Sequence, residues 1–233
     1  MAAASNDQEL QAVIDMIIIT FFFLLRPGKY TGTKYDSAPF CLSAVTCSVS
    51  RTVSDTATAT DNELAATTFV ILIFTTHKNG VRGEKIGHGA TGDPLLCLKE
   101  ALQRRVMHLR QHGAPTNTPL ARFKTPRGRW TNLTPTTITS HLKATVKLLA
   151  GTHLGFTYKD VSVRSLRAAG AMTLLYSGVD NDIINLIGRW RSDEMLRYLH
   201  LQAEPIMRNY SKLMISHGNY NLLPHNGQCI HVY

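Results

Sequence analysis

The chain has 233 residues, of which 44% are hydrophobic and 18% charged, and a formal net charge of +9. That is enough chain for one sizeable core, and the balance excludes a disordered polypeptide. The charge is uneven: residues 1–77 hold four Lys/Arg against seven Asp/Glu, whereas residues 78–233 hold 21 against 9, as a surface that neutralises phosphates requires.

Residues 8–25 read as a helix that is apolar almost all round toward its C-terminal end and stopped by Pro27-Gly28. Its run Ile17 to Leu25 is too short to cross a bilayer, and it follows Asp7, Glu9 and Asp15 rather than a basic segment. A buried helix presenting Arg26 at its exit is the expectation. Residues 40–53 alternate apolar and small polar side chains and suit a strand, followed by a Ser/Thr/Asp-rich loop to Glu63. Residues 67–76 suit a second strand, and Asn79-Gly80 is a favoured type I′ hairpin turn, because both positions accept positive φ. Lys78 stands beside that turn.

Asp93-Pro94 offers an N-cap and a first-turn proline for a helix running to Gly113. Leu95, Leu98, Leu102, Val106 and Leu109 make its apolar stripe and leave Arg104, Arg105 and Arg110 mostly off it. Residues 114–133 read as a connection rich in Pro, Thr, Arg and Lys, including Arg122, Lys124, Arg127 and Arg129. With Arg104 and Arg105 these are the candidate DNA-binding cations. Further helices are predicted from Thr134-Pro135 to near Gly151, over Ser165–Ser177, from Asp180 to about Gly188, over Ser192–His200 and over about Glu204–Ser216.

The four cysteines, Cys41, Cys47, Cys97 and Cys229, form no Cys-x-x-Cys pair and lie far from any His-x-x-x-His spacing. The spacing predicts no zinc site, and reduced thiols in an intracellular compartment. Outside the N-terminal region the close acidic pairs are Asp180/Asp182 and Asp193/Glu194. They read as helix caps rather than a two-metal site, so neither metal nor cofactor is expected.

The most informative stretch is Arg164-Ser165-Leu166-Arg167, followed by Gly188-Arg189-Trp190 and then Tyr198-Leu199-His200. Guanidinium groups offer planar forks of donors that match phosphate oxygens, and a tyrosine hydroxyl can attack phosphorus and hold the product as a covalent ester. Arg164 and Arg167, three apart, would share a helix face and reach one phosphate. Leu166, Ala168, Ala169, Ala171 and Leu174 imply close packing behind Arg167.

At these residues the chain resembles the tyrosine recombinases, or phage-type integrases, whose box reads His-x-x-Arg, then Gly-(His/Trp), then Tyr. The Gly-Arg-Trp wording looks most like the eukaryotic branch carried by DIRS-like and Crypton mobile elements. Phe21 to Tyr30, with Arg26, is similar to the family's first arginine motif, and the segment from Phe69 through His77-Lys78-Asn79-Gly80 to Ile86 is similar to the hairpin of its catalytic lysine. These motifs, in the family's order, cover roughly residues 12–214.

The resemblance implies an α+β fold, mostly helical with a small antiparallel β-sheet. It implies a catalytic domain over 1–216, a tail over 217–233, and no N-terminal DNA-clamping (core-binding) domain. It implies breaking and rejoining of double-stranded DNA through a 3′-phosphotyrosyl intermediate on Tyr198, with a homotetramer on DNA as the working assembly. Arg26 and Arg167, helped by Arg164 and by Arg189 or Trp190, would stabilise the phosphorane, and Lys78 would protonate the 5′ oxygen, with Lys85 as the fallback. Tyr210 is the competing tyrosine, read as packing. A mobile element of eukaryotic origin places the protein in the nucleus, any other origin in the cytoplasm.

Two positions depart from the pattern. Arg164 stands where the family has His and cannot act as a base, and Lys29 stands where it has Glu. They support one alternative, a decayed mobile-element remnant that binds DNA without cutting. A type IB topoisomerase-like enzyme using the same chemistry is the other.

Overall fold

The structure, a computed structural model, describes residues 2–31, 39–49, 52–56, 58–74, 83–93, 95–149 and 154–190. The chain divides into two compact units, Met1–Arg189 and Trp190–Tyr233, and of the second only Trp190 is described. The described residues of the first unit are α+β, six helices with a small antiparallel sheet.

Helix α1 (Ala2–Phe22) is the centre of the packing. It lies against α3 (Leu98–Gln111), α4 (Pro135–Leu148), α5 (Val163–Tyr176) and strand β5 (Arg122–Lys124). Packed among these elements, its second half is mostly apolar: Met16, Ile18 and Ile19 are buried in it and Phe23, Leu24 and Leu25 just beyond its end, with Asp15 and Thr20 as buried polar residues. Among the described residues no helix is long and apolar enough to cross a membrane.

Strands β1 (Val45–Val49), β2 (Thr52–Asp55), β3 (Phe69–Phe74) and β4 (Glu84–Gly89) form an antiparallel sheet in the order β2-β1-β3-β4. The single strand expected over residues 40–53 is therefore a hairpin. In β3, Val70, Leu72 and Phe74 face the core while alternate residues face outward. The β3–β4 pairing registers Phe74 with Glu84 and Val70 with His88; the turn carrying Lys78 lies outside the described residues.

Two short elements went unpredicted. Helix α2 (Asp61–Ala65) sits in the supposed loop, closed by a reciprocal cap between Thr60 and Glu63. Strands β5 and β6 (Trp130–Asn132) form a two-stranded hairpin within the supposed connection. The start of α3 is also a correction. The Asp93 carboxylate accepts from the amides of Leu95 (2.7 Å) and Leu96 (2.9 Å), closing a local turn rather than a helix. Leu95 consequently points to solvent, 80% exposed, and is not part of the apolar stripe.

Helix α5 carries the Arg-Ser-Leu-Arg motif in its first turns, capped by Ser162, which accepts from the Arg164 amide while Ser165 returns a bond to the Ser162 amide. It crosses the end of α1 at Gly170. A Cβ at that position would run into the Phe21 carbonyl oxygen and the Leu24 side chain. Only glycine permits this approach, which sets the neighbouring Arg167 against the α1 terminus. Gly170→Ala should therefore lower the unfolding free energy by about 1–3 kcal/mol, as overpacking of a close backbone contact does. Urea denaturation reads this directly, and a wild-type midpoint would mean the helices are not in such contact.

Candidate functional site

The candidate site forms where α1 ends inside the protein. A helix terminus leaves its last carbonyls without intrahelical donors, and burial makes each one costly to leave unmatched. The chain first closes a Schellman turn: the Leu25 amide bonds the Thr20 carbonyl at 3.0 Å and the Leu24 amide bonds the Phe21 carbonyl at 3.4 Å. Such a turn needs a left-handed residue, normally glycine, yet the residue is Leu24, with φ of 49°.

The carbonyls of Phe23 and Leu24 are then taken by arginine side chains from elsewhere in the chain. His88 of β4 lies beside the Phe22 carbonyl, which favours its protonated form while burial opposes it, and its ring is edge-on to Phe23 at 4.8 Å. Arg189 donates to the carbonyls of Phe23 and Leu24, both at 3.2 Å. Arg167 donates to the Leu24 carbonyl and, at 2.6 Å, to the Gly188 carbonyl.

Gly188 is the last residue of α6 (Asn181–Gly188), so Arg167 ties together the C-terminal ends of two helices, where the backbone dipole favours a cation. Arg189 follows directly, itself left-handed with φ of 56°, and donates back to the Ile187 carbonyl at 2.7 Å. Leu24 and Arg189 are the non-glycine residues with positive φ among those described, and they meet at one carbonyl. Strain of this kind costs on the order of 1–3 kcal/mol per residue and gathers at functional sites.

Around this knot lies an aromatic wall with cations along it. The Arg189 guanidinium stacks on Phe74 at 3.7 Å, Phe74 packs edge-on against Phe40 at 4.7 Å, and the Lys29 ammonium lies 5.8 Å from the Phe40 ring. Burial, and then the charges of Arg167 and Arg26, push the Arg189 pKa down, with Glu84 offsetting them. Burial and Arg189 likewise push Lys29 down.

Arg26, Arg167 and Arg189 are thus brought together at the end of α1. Arg26 is exposed at the start of a 3-10 turn, Pro27–Lys29, whereas Arg167 is buried at 4% exposure. Arg164 parts from Arg167: it lies exposed on the first turn of α5, so the two do not present one shared face. Trp190 is buried. Lys85 is exposed on β4. Lys78, Tyr198 and Tyr210 lie outside the described residues. Asp180 caps α6, accepting from the Asp182 amide at 2.7 Å.

The remaining predicted cations divide. Arg105 needs correction: it lies on the buried face of α3, 2% exposed, and its guanidinium donates to the Leu120 carbonyl at 2.9 Å and to the Arg122 carbonyl, out of reach of any phosphate. Arg104 is committed to the buried Asp15 carboxylate, at 2.7 and 2.8 Å. Arg122, Lys124, Arg127 and Arg129 all stand on the β5–β6 hairpin, the last two exposed at its tip. Arg122 and Lys124 lie 5.5 and 5.8 Å from the Trp130 ring. Sequence reasoning missed His88, Phe74, Phe40 and Glu84; His88, set between Gly87 and Gly89, was the visible signal.

No family model matches the chain, and no curated protein matches it. Among solved structures, the chain is similar to the Tn1549 transposon integrase in complex with transposon right end DNA, at a TM-score of 0.42 and 13% identity over 87% of this chain and 57% of that one. It is also similar to the same integrase in complex with circular intermediate DNA, at a TM-score of 0.41 and 14% identity over 85% and 56%. The chain therefore spans less than two thirds of those integrase chains.

The hairpin is held to α3 through a histidine. His108 Nε2 accepts from the Lys124 amide at 3.1 Å, and burial first, then Arg105 and His112, push its pKa down to about 4. The folded protein therefore binds this proton less readily than the unfolded chain, whose histidine titrates near 6.5. The contribution is complete above pH of about 6.5 and is lost as pH falls toward about 4. His108→Gln, which keeps an acceptor that does not titrate, should flatten the stability-versus-pH curve in that window relative to wild type. Parallel curves for the two proteins would mean His108 is not a buried neutral acceptor.

Proposed function

We propose that the chain breaks and rejoins DNA strands through a 3′-phosphotyrosyl intermediate, with Tyr198 as nucleophile. The observation that supports this reading is the convergence of Arg26, Arg167 and Arg189 on the end of α1. Arg167 and Arg189 reach the Leu24 carbonyl from 143 and 165 positions away in sequence. At Arg189 the charge of Glu84 works against those of Arg167 and Arg26. Such an excess of positive charge in a half-buried place is stabilised by an anion and suits the charge that builds on phosphorane oxygens.

Tyr198 attacks phosphorus, the P–O bond to the 5′ oxygen breaks, and Lys78 gives that oxygen its proton. A 5′ hydroxyl then reverses the step. The bond energy is kept in the phosphotyrosyl ester. Arg164 supplies a further donor at the exposed rim, and the β5–β6 hairpin, through Arg122, Lys124, Arg127 and Arg129, meets the flanking backbone of double-stranded DNA. A homotetramer on DNA and a mobile-element role in the eukaryotic branch belong to the same proposal.

A second reading, a remnant that binds DNA without cutting, is favoured by Arg164, which cannot serve as a base at the position resembling the family's histidine. A nicked suicide substrate separates the two. Wild type should become covalently attached to the DNA, and Tyr198→Phe should lose the adduct while keeping duplex affinity nearly unchanged. Binding without any adduct supports the remnant, and an adduct lost only in Tyr210→Phe moves the nucleophile.

Duplex affinity should also fall by roughly 10³-fold or more between about 50 and 200 mM salt if about six phosphates are neutralised. Affinity that is flat across that range would argue for a protein partner.

A further inference from the structure

We infer that the tip of the β5–β6 hairpin enters the minor groove of A·T-rich duplex DNA, with Arg127 and Arg129 as the side chains that read it. The inference deepens the DNA-binding reading above and rests on it, giving the flanking contact a groove and a base composition.

The net charge of the chain is concentrated around this hairpin. Residues 101–159 hold ten Lys/Arg and no Asp or Glu, in a chain whose net charge is +9. Three of these cations, all on α3, are committed to the protein. Arg104 serves the Asp15 carboxylate, Arg105 the carbonyls of Leu120 and Arg122, and Arg110 the Asp61 carboxylate and, at 2.6 Å, the Ala59 carbonyl. Arg127 and Arg129 differ. Both are exposed, and among the described residues neither side chain is given to a carboxylate, a carbonyl or a ring.

The hairpin is held firmly at its base. Arg105 donates to the Arg122 carbonyl and His108 accepts from the Lys124 amide at 3.1 Å, so two side chains of α3 close the edge of β5 where a third strand would otherwise pair. Phe123 is buried, and Arg122 and Lys124 lie near the Trp130 ring. The body of the ribbon is therefore not free to lie in a groove, and residues 126–129 are the part that stands in solvent.

That tip is narrow and shaped. Pro126 takes the second position of a turn closed by the Gly128 amide on the Thr125 carbonyl at 2.8 Å, and the Thr125 hydroxyl accepts from the Arg129 amide at 3.2 Å. Gly128 has φ of 75°, which a residue with a Cβ adopts only under strain. Two arginines are thus presented with a residue lacking a side chain between them and a proline before them.

The minor groove of B-DNA is about 6 Å wide against about 12 Å for the major groove, so it admits side chains but not a ribbon. In A·T tracts it narrows further, its negative potential rises, and arginine is drawn in. A guanidinium is more weakly hydrated than an ammonium and enters such a groove at lower cost. Both tip cations are arginine, and the hairpin's lysine, Lys124, lies back on β5. A G·C pair opposes this entry, because the guanine 2-amino group projects into the minor groove as a donor.

The test is fluorescence anisotropy of the full chain, at one salt concentration, on three duplexes of equal length: an A·T tract, a G·C duplex, and that G·C duplex with inosine in place of guanine. Inosine keeps the major-groove groups of guanine and lacks its 2-amino group. Wild type should bind the A·T and inosine duplexes roughly tenfold more tightly than the G·C duplex. Arg127→Gln and Arg129→Gln should each lose much of that ratio with unchanged thermal melting, and the double variant should lose all of it. Arg127→Lys with Arg129→Lys, which keeps both charges, should retain the affinity for G·C and still lose the ratio.

Equal wild-type affinity for the three duplexes would overturn the inference and leave contact with the backbone alone. So would an A·T preference that inosine does not reproduce, which places the reading in the major groove, or a ratio that survives in the double glutamine variant. The failure of the underlying reading looks different: a wild type that binds none of the duplexes at low salt overturns both.

Discussion

A helix that ends inside a protein must find donors for its last carbonyls, and this one requirement organises the structure. The C-terminal end of helix α1 runs into a buried segment, Phe23 to Leu25, so its last carbonyls are out of reach of solvent. The Schellman turn takes two carbonyls, Arg189 and Arg167 take those of Phe23 and Leu24, and His88 lies beside that of Phe22. The two arginines come from different parts of the chain, so satisfying the terminus also fixes α5 and the end of α6 around it. The gathering of cations is a consequence of this capping, and Gly170 provides the close approach it needs.

The same economy explains why the strain is tolerated. Leu24 and Arg189 both adopt left-handed backbone, a conformation that glycine adopts more easily. Leu24 is fully buried, so glycine there would lose its packing, and glycine at Arg189 would lose the guanidinium that caps α1. Side-chain interactions outweigh the backbone cost at both positions.

Much of this was legible in the sequence. The apolar run predicted a buried α1 with Arg26 at its exit, and the richness of residues 67–76 in Thr, Val, Ile and Phe predicted β3. Small residues beside Arg167 predicted close packing. What was not legible is long-range. Periodicity placed Arg105 off the apolar stripe, but the carbonyls of Leu120 and Arg122 draw it into the core, a contact no local pattern encodes. Arg164 and Arg167 are three apart, but spacing cannot reveal that one side chain is pulled inward by two helix ends. The β5–β6 hairpin escaped notice because three-residue strands are too short to show alternation, and α2 because its five residues fall below one convincing period.

The central claim is that Arg167 and Arg189 jointly cap the α1 terminus, and a double-mutant cycle on stability tests it most directly. Arg167→Met, Arg189→Met and the double variant would be compared by equilibrium denaturation. Because both guanidinium groups serve the Leu24 carbonyl, either single variant leaves it one donor and also relieves their mutual repulsion. The double variant should therefore cost more than the sum of the singles, by about 0.5–3 kcal/mol. Additivity within about 0.3 kcal/mol, or a double that costs less than the sum, would contradict the account.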